Sequence, residues 1–166
     1  MASNRREYPL GWPLGIWDVT RIGESITASR RGSDRPHKGV DLFAKAGTPV
    51  VAPVAGVVLR VVDGRDSQLR SQVRAGLFID LLDGEGRIHR FLHLGSVAVK
   101  KDQRVRQGQP LGTIAEAGTS GVNRARPHLH YEIRHGDYEM ARADYGAPED
   151  PLPTLLRARG VRFDDG

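Results

Sequence analysis

The sequence contains no cysteine. Disulfides, thiolate metal sites and a cysteine nucleophile are therefore excluded. Any metal must be held by imidazole and carboxylate, and with those donors zinc is the leading candidate. Lysine is scarce, at four of the 25 basic residues, so the net charge of +5 is carried by arginine. The sequence pI is about 10.0. The basic residues are dispersed, with no long run and no basic helix, which speaks against a nucleic-acid partner. An overall positive charge favours other anionic partners, such as membrane surfaces or cell-wall polymers. No apolar stretch is long enough to span a bilayer, and Met1–Leu10 lacks the apolar region of a secretory signal. Export from the cell would need a removed signal, lysis or injection. There is no G-x-S-x-G, no P-loop and no dinucleotide fingerprint.

Twenty glycines and ten prolines are scattered over 166 residues, of which 39% are hydrophobic. This balance suits one soluble domain made of many short strands. Residues 1–36 read as an irregular N-terminal segment packed on the domain, with Trp12 and Trp17 as packing anchors. Residues 37–135 read as the core, strand after strand, and residues 136–166 as a C-terminal tail. Val50–Leu59 is β-branched and broken by Pro53 and Gly56. Leu77–Leu82 is a buried strand ended by an Asp83–Gly84 turn, and Arg87–Leu94 pairs with it. Gln109–Ile114 and His128–Arg134 complete the set. Helical periodicity is poor except in Arg65–Arg74. The expected fold is all-β, mainly antiparallel sheet or sandwich.

The histidines carry the chemistry. His128-Leu129-His130-Tyr131-Glu132-Ile133 alternates strictly, so His128, His130 and Glu132 share one face of a strand. Leu129, Tyr131 and Ile133 share the other, which belongs in the core. His37 and Asp41 point the same way along HKGVD, with Gly39 leaving room between them. His93 and His89 lie on one face of the next strand, and either suits acid–base work. A zinc hydrolase needs three protein ligands and an open position. His37, Asp41 and one of His128 and His130 supply the three. The other histidine of the pair and His93 remain for proton transfer. Gly118-Thr119-Ser120-Gly121 is a turn, not a nucleophile elbow, since no helix pattern follows it.

At these residues the chain resembles the lysostaphin-type (LytM-like) zinc peptidoglycan endopeptidases. The shared stretches are HKGVDL, AGTPVVAPVAGVV, FLHL, QPLGTIAEAGTSG and PHLHYEI, in that family's order. The resemblance implies that His37, Asp41 and His130 ligate one zinc ion per chain. It also implies that His93 and His128 are the catalytic histidines, flanking the attacking water and the oxyanion. It implies endopeptidase action on peptidoglycan stems or cross-bridges. The EDPLP segment at Pro151 looks like the family's closing strand and turn. Where the family commonly has Thr-Gly-Pro before its H-L-H motif, this chain has Val122-Asn123-Arg124-Ala125-Arg126-Pro127. Arg124 and Arg126 thus sit beside the cleft, where they suit substrate carboxylates. Glu132 is placed to orient an imidazole as second-sphere support. The segment Gly64–Gly76 is also longer and more basic than in the family.

Two rival readings come from other classes. The Pro53–Val58 and Val105–Leu111 stretches resemble biotinyl or lipoyl carrier hairpins. A carrier needs a lysine at a hairpin tip, and Ala115-Glu116-Ala117-Gly118-Thr119 has none. The second rival is a noncatalytic wall-binding or amidase-activating relative. Such members lose ligands, whereas all five expected positions are filled here. A monomer is expected.

Overall fold

The computed structural model describes residues 11–15, 17–23, 38–122, 126–135, 147–151, 153 and 155. His37 and Arg124, and most of the expected terminal segments 1–36 and 136–166, lie outside the described residues. The described residues run β1 (Arg21–Ile22), β2 (Val40–Phe43), β3 (Pro49–Val51), β4 (Gly56–Asp63), α1 (Arg70–Ala75), β5 (Leu77–Asp83), β6 (Ile88–Val97), β7 (Arg104–Val105), β8 (Pro110–Ile114), β9 (His128–His135) and β10 (Ala147–Glu149). The strand order is β1-β2-β9-β6-β5-β4-β7; β10 pairs with β9, and β8 joins β6 to β3. Every pairing is antiparallel. The all-β reading therefore holds.

Local sequence explains the breaks. The β-branched run around Val50–Leu59 divides into β3 and β4 at Ala52–Ala55, because Pro53 has no N–H to give a ladder. Its carbonyl is used instead, accepting the N–H of Gly11 at 3.2 Å and the side chain of Gln107 at 3.0 Å. The helix expected within Arg65–Arg74 begins only at Arg70 and is six residues long. Upstream, Asp63 holds Arg65 and Ser67 holds Gln72 by side-chain bonds, which favour a turn over a helical start.

Strand alternation gives the central sheet two unlike faces. Val40, Leu42, Ile79, Leu81, Phe91, Leu129, Tyr131 and Ile133 line one of them and join the core. Fully burying a side chain of this size contributes about 1.5–3 kcal/mol. Trp12 and Leu14 reach the same core, and the Trp12 indole donates to the Leu155 carbonyl at 2.9 Å. Trp17 does not anchor as expected: it is 65% exposed. Three residues separate it from the nearest strand, and the turn at Gly15–Asp18 carries it outward.

The opposite face is polar and organised in cross-strand rows. One row is Arg21, Phe43, His128; the next is Asp41, His130, Leu92; a third is Arg60, Asp80, Arg90, Glu132. The third row is buried throughout. Asp80 accepts Arg60 Nε at 2.7 Å and Arg90 Nε at 2.8 Å, and both guanidinium carbons lie over the Phe78 ring, at 5.2 and 5.4 Å. Buried charges survive only when paired in this way. Gly39 makes the row geometry possible, since a Cβ there would sit 2.2 Å from the Tyr131 carbonyl oxygen. Among the described residues, no helix is long and apolar enough to cross a membrane.

Candidate metal and catalytic centre

Strands β2 and β9 bring Asp41 and His130 directly opposite one another. His130 Nδ1 lies 2.9 Å from Asp41 Oδ1, and its Nε2 lies 2.8 Å from Glu132 Oε1. Glu132 also accepts Arg134 Nε at 2.6 Å. When Nε2–H donates to Glu132, a neutral His130 presents a lone pair at Nδ1 to a carboxylate oxygen. Two acceptors then converge in a buried place, and only a cation between them makes the arrangement favourable. In the bare chain that cation is a proton. Burial opposes the charge on His130, but its bonds to Asp41 and Glu132 overcome this and raise its pKa to about 9. Burial likewise works against the charged form of Glu132, yet the His130 bond and nearby Arg134 and Arg90 hold it far below the usual carboxylate range. A divalent cation satisfies the same two donors, and imidazole with carboxylate is a zinc-type set. Among the described residues, no group of three or more His, Asp or Glu side chains is arranged to hold a metal. The expected third ligand, His37, lies outside them.

His128 opposes Phe43 at the start of β9, with ring centroids 5.1 Å apart. Its Nδ1–H donates to the Arg126 carbonyl at 2.8 Å, leaving Nε2 as an acceptor 3.8 Å from Asp41 Oδ1.

His93 reaches this group by a route that strand alternation does not suggest. Along β6, residues 88–92 pair with β9, while the β8 pairing begins at Leu94. On the β5 side, Ile79 opposes Phe91 and Leu77 opposes Leu94, so β6 carries an extra residue there. His93 sits in this bulge at φ 67°, a conformation that costs a non-glycine residue about 1–3 kcal/mol. The kink turns its ring toward the polar face, 5.0 Å from the His128 ring and 6.0 Å from the His130 ring. The Gly118–Gly121 turn holds it: Nδ1–H donates to the Ser120 carbonyl at 2.9 Å. Nε2 is left as the acceptor. Burial first, then the neighbouring His130 and His128, lower the His93 pKa to about 3, so the ring is neutral near pH 7.

His89 is the correction. It was a candidate acid–base group on the same face as His93, but the bulge separates the two. His89 lies on the core side, with Nδ1 2.6 Å from the Tyr131 hydroxyl and Nε2 2.8 Å from Asp83 Oδ2. Ser120 and Gly121 were read only as turn residues, yet they set the position of His93. Their positive φ values, 49° and 80°, have no signature beyond the Ser-Gly pair itself. Arg126 lies at the entrance to β9 beside Pro127 and is exposed.

The fold is that of a peptidase catalytic domain. The structure matches the catalytic domain of lysostaphin, the antimicrobial peptidase of Staphylococcus simulans, with a TM-score of 0.65 and 25% identity, over 82% of this chain and 92% of that one. The chain belongs to peptidase family M23, whose family model matches residues 35–142. Over 98 residues it is 35% identical to the peptidoglycan DD-endopeptidase ShyA of Vibrio cholerae, a match covering 59% of this chain and 20% of that protein. It is 32% identical to the cell division protein DipM of Caulobacter vibrioides over 158 residues, 95% of this chain and 22% of DipM. Lysostaphin itself is 32% identical over 124 residues, 74% of this chain and 22% of lysostaphin. The chain thus spans about a fifth of the length of these relatives.

Proposed function

We propose that this chain is a zinc-dependent endopeptidase that hydrolyses peptide bonds in the stems or cross-bridges of peptidoglycan, in the periplasm or outside the cell. One observation carries the reading: Asp41 Oδ1 and His130 Nδ1 converge on one buried point, with His93 and His128 beside it. His37 would complete the ligand set from the other end of the HKGVD segment. A zinc ion bound there supplies Lewis acidity, polarising the scissile carbonyl and acidifying water.

The chain's own residues do the rest. His93 and His128 each spend their Nδ1 proton on a backbone carbonyl, so each offers Nε2 to the reacting groups. One takes the proton of the attacking water. Now protonated at Nε2, it returns that proton to the leaving amine, while the other, with a proton taken from solvent at Nε2, hydrogen-bonds the developing oxyanion. Acid–base groups of this kind contribute about 10²–10⁴-fold. Glu132 and Arg134 fix the tautomer and orientation of His130.

The test is digestion of purified peptidoglycan by the zinc-loaded chain, with fragments identified by mass spectrometry. New amino termini within stems or bridges are expected. Zinc-loaded protein that binds the wall and releases no fragment would reject hydrolysis in favour of a noncatalytic wall-binding role.

A further inference from the structure

The cross-strand row that ends on His128 continues outward to a second feature. Phe43 opposes His128 across β2 and β9, and Arg21 opposes Phe43 across β1 and β2. Arg21 lays its guanidinium carbon over the Phe43 ring, 4.9 Å from the centroid. On this side of the ring lies a pocket of about 340 Å³, lined by Thr20, Arg21, Phe43, Lys45, Arg126 and Pro127, among others. The Phe43 ring is therefore a shared wall, with His128 against it and the pocket lined by it.

Three cations line this pocket, from three separate parts of the chain: β1, the loop after β2, and the entrance to β9. All three are exposed. No described acidic side chain pairs with any of them. Five other described arginines take carboxylate partners: Arg60 and Arg90 hold Asp80, Arg65 holds Asp63, Arg87 holds Asp83 and Arg134 holds Glu132. The exposed Arg70, Arg74, Arg104 and Arg106 do not, but they are spread along the surface and do not line one pocket. Three cationic residues around one pocket, with no described acidic partner, set up a positive potential there that attracts an anion. The remaining wall is apolar, which suits the carbon skeleton that carries the charge.

We propose that Arg21, Lys45 and Arg126 form a subsite for a free carboxylate on the residue next to the scissile bond of a stem peptide. The inference rests on the peptidoglycan reading above and adds its selectivity: stems whose carboxylate is free are taken, and stems in which it is amidated are disfavoured. A guanidinium fork pairs with a carboxylate by two parallel bonds and gains little from a primary amide. The positions argue for proximity to chemistry, since the Phe43 ring that walls the pocket is in contact with His128.

The experiment is calorimetric titration of the full chain with two synthetic stem peptides that differ only in a free or amidated carboxylate beside the scissile bond. Wild type is expected to bind the acid roughly three- to tenfold more tightly than the amide, as suits exposed charges around one pocket. Arg21→Ala with Arg126→Ala should bring that ratio close to one. Arg21→Glu with Arg126→Glu should drive it below one, and Arg21→Lys alone should retain most of it. Amide chemical shifts in wild type should move at Thr20, Phe43 and Ala46 with the acid and less with the amide, which requires no variant. An equal affinity of wild type for both peptides overturns the proposal. So does a matching loss on both peptides in the alanine variant, which leaves only general attraction. Acid-selective binding without cleavage of either peptide would reject the endopeptidase reading and leave the subsite standing.

Discussion

His93 Nδ1 lies 2.9 Å from the carbonyl oxygen of Ser120, across 27 residues of sequence. The same Ser120 ties down both strands around the bulge. Its hydroxyl accepts the Leu77 N–H at 2.8 Å and donates to the Leu94 carbonyl at 2.8 Å. A histidine at positive φ is thus held by a serine at positive φ, and neither conformation would persist alone.

Ser120→Ala should therefore cost more than a surface change. It strands a buried N–H and a buried carbonyl, which carries a penalty of about 1–3 kcal/mol. Turnover should fall through kcat, because the His93 ring loses its fixed direction, while bound zinc should not change. Urea unfolding, metal analysis and steady-state kinetics on one preparation check all three. An unaltered unfolding midpoint would show that Ser120 does not support the bulge.

The ligand and proton-transfer roles separate by metal content. Asp41→Ala should lower bound zinc sharply, since it removes one of the three proposed protein donors. His93→Ala and His128→Ala should retain zinc and fold while turnover drops about 10²–10⁴-fold. Metal analysis of dialysed protein reads the first effect and peptide hydrolysis the second. A His128→Ala protein without zinc would exchange the assigned roles of His128 and His130.

Much of this was legible because strands alternate. The period-two pattern in His128–Ile133 predicts which side chains face the core and which face the site, and the structure agrees at each of the six positions. The Asp83–Gly84 turn and its hairpin are equally local, so sequence reveals them. His89 and His93 show where locality ends. Period-two counting places them together, but one extra residue in β6 reverses the face, and a bulge is decided by pairing with β5, β8 and β9. The basic pocket was half legible. Arg126 stands beside the H-L-H motif in sequence, whereas Arg21 and Lys45 join it only through the β1–β2 and β2–β9 pairings. Trp17 misled because an aromatic residue beside a core segment need not turn inward.

Glu132 offers a test of orientation apart from chemistry. Glu132→Gln keeps an oxygen able to accept His130 Nε2–H, but it removes the charge that Arg134 and His130 share. Loss of such outer support typically weakens metal binding about 10–100-fold. Competition with a chelator reads this directly, without reference to turnover. Zinc affinity equal to wild type would mean that Glu132 only fills its place on the strand.

A pH dependence of stability follows from Asp83, which is not part of the candidate metal centre. Its carboxylate closes the β5–β6 hairpin. Oδ1 accepts the backbone N–H groups of Glu85 and Arg87, each at 2.9 Å. Oδ2 takes Arg87 Nε at 2.9 Å and His89 Nε2 at 2.8 Å. Burial pushes its pKa up, but the His89 bond and the two backbone bonds outweigh this and bring it from 3.8 down to about 2. The folded state therefore binds this proton less readily than the unfolded chain does. A depressed carboxylate pKa stabilises the fold at pH values above the unfolded pKa, and the contribution disappears as pH falls through the folded one. At pH 7 the contribution is on the order of 2 kcal/mol. Asp83→Asn should lower Tm by roughly 4–8 °C at neutral pH for a chain of this size. The gap to wild type should stay level down to about pH 4, narrow below it, and close near about pH 2. Thermal unfolding of both proteins from pH 7 to pH 2 measures the gap. A difference of constant size across that range would place the effect in hairpin packing instead of in the charge on Asp83.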